Sequence, residues 1–428
     1  MASKAVRGMH DNWGPALAHW KWVESKIHQV LSSFGFEEIR TPVLEHVEVF
    51  SHTVGQDSDI VEKQMYQIQD RGEGTPESIV LRPEGTAAFI RAVVEHGLHM
   101  QGGVGRYYYY MPMFRYERPQ KGRLRQFHQF GAEMILSSSP EADAEVILLL
   151  DQIYKSFGLQ DYTVRLNSLG NKPARESYKN ALVQYFSPHI SKLDEIAQKK
   201  FLRSPLRILD SKDETIRGLS KNAPRITDHL EPASLAHYEA VKACLKSSGV
   251  AFEEDPTIVR GLDYYCETTF EFTSELLGAQ SALGAGGRYD GLSDRFGVAP
   301  FPAIGWALGM ERLMIALEEK KLLPESTPGP IAFLAPLGQA AFAHLFPLSV
   351  KLKRSGVSAL MSYEKEKNLK WLLKQADKSR ALYAVIVGDN ELSSGQAMLK
   401  NLKTGEQATV SLSQLETELL NKSGSTAK

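Results

Sequence analysis

Arg115, Glu117, Arg123, Phe127, Gln129 and Glu133 fall within one short span, Met113 to Glu133. The span reads as strand, loop and strand, approached by the β-favouring run Arg106 to Met111 with its four consecutive tyrosines. Its loop is basic: Arg118, Lys121, Arg123 and Arg125, broken by Pro119 and Gly122. Period-2 alternation then puts Phe127, Gln129, Gly131 and Glu133 on one face and His128, Phe130, Ala132 and Met134 on the other. The second face is mostly core material. On the first, a glycine lies between an amide and a carboxylate, over an aromatic. Glycine weakens a strand, so the gap is expected to admit a small polar ligand. The neighbouring arginines suggest that this ligand has an anionic companion.

Three further clusters carry comparable chemistry. Ile79 to Leu81 runs as a strand into Arg82-Pro83-Glu84-Gly85-Thr86, and Thr86 is placed to cap a helix reaching about Glu95. Arg260-Gly261-Leu262-Asp263-Tyr264-Tyr265 is dense in hydrogen-bonding groups within an apolar frame. Gly309-Met310-Glu311-Arg312-Leu313 opens a helix to about Leu322. A cation in a first turn is disfavoured by the helix dipole, so Arg312 there points to an anion shared with the helix N-terminus. Gly284 to Gly291 is rich in glycine, yet Tyr289 stands where Gly-x-Gly-x-x-Gly needs its last glycine, and no Gly-Lys-Ser/Thr follows. Both nucleotide motifs are therefore rejected, and the glycines are read as permitting close backbone packing. Taken singly, a buried arginine is more often half of an ion pair and Glu84 could be a surface turn residue. Together the clusters supply arginines for phosphates, carboxylates for a cation and tyrosines for orientation. No Ser–His or Cys–His pair stands out and no His-Glu-x-x-His occurs, so covalent and zinc catalysis are not favoured. Arginine-rich sites work by positioning and charge stabilisation.

These residues need elements to hold them. Leu17, Trp20, Val23, Ile27, Val30, Leu31 and Phe34 recur at helical spacing between Pro15 and Gly35. Glu37 to Leu44 reads as a strand interrupted by Pro42, which demotes it to an edge or an interface. Pro140 to Phe157 is an amphipathic helix, and about 171–237 reads as an inserted, polar, helical subdomain. The linker Leu323 to Pro330 leads into strand–helix alternation from Ile331, which predicts a small α/β domain with a largely parallel sheet and a hairpin at Thr404-Gly405. A final helix is expected near Leu412 to Leu420 and disorder from Asn421.

A chain of 428 residues with 43% hydrophobic content suggests two or three domains with sizeable cores. Two cysteines, Cys244 and Cys266, build neither a disulfide framework nor a zinc site alone. No run reaches transmembrane length and no apolar signal core opens the chain, so a soluble cytoplasmic protein is expected. The net charge of −1 hides an asymmetry: from Ile331 onward 13 Lys and Arg face 8 Asp and Glu, a net of +5, leaving −6 for the rest. A basic module on an acidic body suits a polyanionic partner, although a solvated surface explains the charge equally well.

The segments resemble the three motifs of class II aminoacyl-tRNA synthetases. The first helix with Thr41-Pro42-Val43-Leu44-Glu45 is similar to motif 1, the dimer-interface element. Phe114-Arg115-x-Glu117 with its loop and return strand is similar to motif 2, and Gly309 to Leu313 to motif 3. Arg260 to Tyr265 and Gly287-Arg288-Tyr289-Asp290-Gly291 resemble signatures of the histidyl-tRNA synthetase family. Arg7-Gly8-Met9-x-Asp11 also fits, as does Leu209-Asp210-Ser211-Lys212-Asp213, which has a bacterial look. The resemblance spans the chain. It implies an α+β catalytic domain over 1–326, an antiparallel sheet flanked by helices with the insertion near 171–237, and an α/β anticodon-binding domain over 331–428. It also implies a homodimer, no membrane, and ATP-dependent ligation of L-histidine to its tRNA through histidyl-adenylate, with Mg2+ accompanying ATP and no metal ligand assigned. Residue by residue, Arg115 and Arg260 are implied as catalytic. Glu117, Arg123, Phe127 and Arg312 would join Arg115 on ATP. Glu84, Gly85, Thr86, Gln129, Glu133, Tyr264, Tyr265 and Tyr289 would join Arg260 on histidine. A buried carboxylate suits an imidazole N–H and rejects an apolar ring of the same shape.

Two other readings are non-catalytic: a synthetase-like regulatory subunit of the first enzyme of histidine biosynthesis, and a sensor of uncharged tRNA. Relatives of the first kind generally lack the anticodon-binding domain and erode the Arg260 to Tyr265 signature, and this chain keeps both. Intact Arg115, Arg260 and Arg312 argue against the second. A synthetase for another amino acid is disfavoured by Arg260 to Tyr265.

Overall fold

Eight strands form the sheet on which the clusters sit. They are β1 (Glu37–Glu38), β2 (Gly105–Phe114), β3 (Gln126–Ile135), β4 (Thr163–Ser168), β5 (Glu253–Glu254), β6 (Cys266–Thr273), β7 (Ala282–Arg288) and β8 (Ala303–Gly309). Their order is β1-β2-β3-β8-β7-β6-β4-β5, antiparallel except where β1 and β5 join the edges in parallel. The structure, a computed structural model, describes residues 4–53, 60–69, 77–192, 198, 201, 205–209, 214–259, 264–325 and 329–426. By internal contacts the chain divides into two units, Met1–Leu323 and Pro324–Lys428.

One face of the large sheet is core, as the alternation implies. Phe130, Ala132 and Met134 of β3 and Ile304, Trp306 and Leu308 of β8 pack with two helices. Helix α1 (Gly14–Ser33) contributes Val23, Ile27 and Leu31, and α3 (Pro140–Ser156) contributes Val146, Ile147 and Leu150. Ser139 caps α3, its hydroxyl accepting the Ala142 N–H at 3.3 Å. The other face carries the clusters and the helix α2 (Thr86–Glu95). Helix α4 (Met310–Glu319) follows β8 and ends three residues before the expected Leu322.

Three expectations need correction. The strand expected over Glu37 to Leu44 splits into Glu37–Glu38, in the large sheet, and Leu44–His46, in a three-stranded sheet with Tyr66–Gln69 and Ser78–Leu81. Pro42 has no N–H to continue a ladder. The Arg82 guanidinium instead donates to the carbonyls of Thr41, Pro42 and Pro112 at 2.7–2.9 Å. Thr86 does not cap α2; the Glu84 carboxylate does, accepting the N–H groups of Thr86 and Ala87 at 2.8 Å each. At the C-terminus a helix, Leu415–Thr426, continues through most of the tail expected to be disordered.

Between β4 and β6 the described residues are mainly helical, with helices Lys172–Phe186, Glu214–Ser220 and Pro232–Ser247 among short 3-10 turns. A fully buried ion pair, Arg288 with Asp143, ties β7 to α3, and His237 adds its Nε2 to Asp143 at 2.8 Å. The second unit holds β9 (Ala332–Pro336), β10 (Ala359–Met361), β11 (Tyr383–Val387), β12 (Gln396–Asn401) and β13 (Gln407–Ser411), in the order β10-β9-β11-β12-β13. The first three are parallel and the last two form an antiparallel hairpin. Alternate residues of β9 feed two cores. Leu334 packs with Leu345 and Leu352 of α5 (Gln339–Arg354), and Phe333 and Ala335 with Leu372 and Ala376 of α6 (Leu369–Lys378). Among the described residues no helix is long and apolar enough to cross a membrane.

Candidate active site

Strand register builds one end of the site around Glu133. Directly opposed residues in an antiparallel pair share a face. Tyr109 stands opposite Gly131, and Gly305 opposite Glu133. Glu133 is fully buried, yet three hydroxyls reach its carboxylate. Thr86 Oγ1 donates to Oε1 at 2.9 Å, Tyr109 to Oε1 at 3.2 Å, and Tyr289 to Oε2 at 2.5 Å. Burial pushes the Glu133 carboxyl up to about 8; the hydroxyls of Tyr289 and Thr86 oppose the rise, and the nearby Glu84 adds to it. A Cβ on Gly305 would lie 1.6 Å from Oε2, so only glycine fits there.

Gly131 has a different purpose from the one its position suggested. The space its missing side chain leaves is not ligand space. A Cβ there would come within 2.1 Å of the Tyr109 ring, and one on Gly85 within 2.3 Å of the same ring. The two glycines admit Tyr109.

Glu84 is nearly as buried as Glu133. Burial raises its carboxyl, against the pull of the Ala87 and Thr86 N–H groups and of Arg115. Tyr264, Tyr265 and Tyr289 complete this end as a ring cluster, with Tyr264 4.7 Å from Tyr265 and 5.8 Å from Tyr289. Oε1 of Gln129 is buried beside them with no hydrogen-bond partner among the described residues, so it is available to a ligand.

The other end is cationic. Arg115 donates to the Pro83 carbonyl at 2.8 Å and lies 5.1 Å from the Phe127 ring centre. Arg312 donates to the carbonyls of Gly122 and Ala282 at 3.0 and 2.8 Å. Arg123 meets Glu117 at 3.3 Å. Carbonyls orient the Arg115 and Arg312 guanidiniums without neutralising them. Burial and then Arg123 and Arg115 lower Arg312, while burial lowers Arg115 in spite of Glu117 and Glu84. An anion bound here relieves that mutual repulsion. Glu311, which also lines the cavity, takes the His128 backbone N–H on both oxygens, at 2.9 and 3.0 Å, where β8 has turned into α4.

Glu84, Thr86, Arg115, Glu117, Arg123, Phe127, Gln129, Tyr264, Tyr265, Tyr289 and Arg312 line a single cavity. Gly85 is not among the lining residues; its missing side chain makes room for the Tyr109 ring. Glu133 stands behind the wall, reached past Gly305 and through the hydroxyls of Thr86 and Tyr289. Arg260, with Gly261 to Asp263, lies outside the described residues, as do Asp210 to Asp213. Sequence reasoning missed Tyr109, Gly305 and Glu271. Tyr109 was hidden in a tyrosine run, and only the hairpin register singles it out. Glu271 lines the cavity near Arg312. Among the described residues no group of three or more His, Cys, Asp or Glu could hold a metal ion. Magnesium needs less, one or two carboxylates with phosphate oxygens and water completing its shell. Glu271 beside the arginines fits that requirement.

A family model described as histidyl-tRNA synthetase matches residues 8–313, and one described as anticodon binding domain matches residues 332–422. The chain is 43% identical to the histidine–tRNA ligase of Fervidobacterium nodosum over 403 residues, 94% of each chain. With that of Halothermothrix orenii it shares 41% over 419 residues, 98% of this chain and 99% of the other. The apo structure of S. aureus histidyl-tRNA synthetase superposes with a TM-score of 0.82 at 34% identity, covering 98% of this chain and all of that one.

Proposed function

Because the chain belongs to the histidyl-tRNA synthetase family and is a class II histidine–tRNA ligase, we propose that this cavity activates histidine, bound at the Glu133 end, with ATP, bound at the arginine end, then passes the histidyl group to tRNA. The observation that carries this reading is the pairing within one cavity of a sealed carboxylate end and a cationic end.

Histidine enters ring first. Glu133 and Tyr264 take the imidazole, with Tyr265 and Tyr289 lining its slot. Glu84, Thr86 and Gln129 hold the α-amino group, and Gly85 sets the turn that presents them. ATP lies towards the arginines, with Phe127 stacked on adenine and Glu117 on its edge. Arg115 and Arg260 flank the α-phosphate; Arg123 and Arg312 hold the β- and γ-phosphates. Glu271 would help hold magnesium, which would supply further neutralisation of the polyphosphate charge. The histidine carboxylate attacks the α-phosphorus, pyrophosphate departs, and the charge that develops spreads onto the guanidiniums. Fixed ends and preset dipoles make a protein nucleophile unnecessary. The terminal ribose hydroxyl of the tRNA then attacks the histidyl carbonyl and releases AMP.

The second unit serves the tRNA. Exposed Phe346 and Tyr363 flank Phe342, over which the Lys365 ammonium lies at 4.4 Å. Such an aromatic and basic patch suits unstacked bases. Two copies are proposed to associate through motif 1, where Val43 and Leu44 expose apolar surface beside an edge strand. The enzyme is placed in the cytoplasm, where translation consumes charged tRNA. Histidine-dependent exchange of pyrophosphate into ATP tests the reading; exchange absent with histidine, ATP and magnesium all present sinks it.

A further inference from the structure

We infer that Tyr109 is the positioning residue of the histidine end: it holds Glu133 so that a single acceptor position, on Oε2, is left to read the ring. This rests on the reading that Glu133 receives the imidazole.

Tyr109 is fully buried and adds nothing to the cavity wall. Two glycines on separate elements make room for its ring. Gly85 lies before α2 and Gly131 lies in β3, and a Cβ on either would come within 2.3 Å of that ring. Nothing in sheet or helix geometry requires glycine at Gly131, since β3 pairs regularly on both sides of it. The notch therefore exists for the tyrosine. Leucine or phenylalanine would fill such a notch without its oxygen. The oxygen is spent on Glu133, 3.2 Å from Oε1.

Counting acceptor sites shows what this achieves. Once ionised, above the pH of about 8 to which burial pushes it, the Glu133 carboxylate offers about four lone-pair positions. The hydroxyls of Thr86 and Tyr109 occupy both on Oε1, and that of Tyr289 occupies one on Oε2. One remains, on the oxygen that lies against Gly305, a residue of the cavity wall. An imidazole can satisfy it only with an N–H at that point. Without the Tyr109 hydroxyl, Oε1 regains a free position, the carboxylate can rotate, and its ionised form loses a donor.

Tyr109→Phe in the full chain tests this, because it deletes one oxygen and keeps the ring in its notch. Histidine-dependent pyrophosphate exchange should show the KM for histidine raised about tenfold, as for one hydrogen bond to a charged acceptor, with the KM for ATP unchanged. The acid limb of kcat/KM for histidine should move to higher pH, since losing a donor makes Glu133 harder to ionise. Equal rises in both KM values, or an unmoved acid limb with an unchanged histidine KM, overturn the inference. Glu133→Gln in the same assay separates the two claims. If it leaves the histidine KM untouched, the reading of Glu133 itself fails. If it raises that KM while Tyr109→Phe does nothing, only the role of Tyr109 falls.

Discussion

The two ends of the cavity solve opposite problems. At the Glu133 end one carboxyl group is withdrawn completely from water and held by three neutral hydroxyls. At the arginine end Arg115, Arg123 and Arg312 are gathered with few acidic partners, two of them oriented by backbone carbonyls. The first arrangement is rigid, short in range and selective for a shape that completes its hydrogen bonds. The second stores repulsion that a polyanion relieves, and selects for charge. The two kinds of chemistry thus sit apart, at opposite ends of one cavity.

The largest expected effect comes from breaking the carboxylate end. Glu133→Ala should lower kcat/KM for histidine by about 10³–10⁴-fold, the scale for sites that read a polar group, with the KM for ATP nearly unchanged in the exchange assay. Equal losses for both substrates would erase the distinction between the ends. Arg115→Ala should lower kcat by about 10²–10³-fold, as for removing one donor to a developing charge, while histidine binding measured by calorimetry stays within about threefold. Loss of histidine binding in that variant would count against the division.

Stability should separate the ends by pH. The folded Glu133 carboxyl sits at about 8, above its ordinary value of 4.5. The folded state therefore holds the proton more firmly than the unfolded one, and stability falls as pH rises between those values, by up to about 1.4 kcal/mol per pH unit. Glu133→Gln removes that slope, so its melting temperature should gain on the wild type from pH 5 to 8; parallel curves would refute the buried-charge account. The smallest effect is ionic. Raising salt from about 0.05 to 0.5 M should increase the KM for ATP a few-fold and leave that for histidine unmoved, because screening acts on the open, charged end.

Much of this was legible before folding was considered. Period-2 alternation separated the core face of β3 from its polar face, and helical spacing located α1 and α3. Glu271 apart, most polar side chains of the cavity were named from their clusters, and those among the described residues converge on it. What failed was the reading of space. Gly131 was taken as room for a ligand, whereas Tyr109 fills it. Thr86 was taken as a helix cap, whereas Glu84 caps and Thr86 turns to Glu133. In both cases the local pattern was right and the partner came from another element.

The chemistry, then, was fixed by residue types and their spacing, because strand and helix periods assign faces locally. Arginines in a loop, a carboxylate after a glycine and tyrosines after Arg260 are choices written along the chain. Only the tertiary structure decided who meets whom. Register between β2, β3 and β8 set Tyr109 on Gly131 and Gly305 on Glu133, and the turn after β7 brought Tyr289 to the same carboxylate from a position 156 residues away. Contacts between distant segments depend on the pairing of whole strands, which no local period encodes.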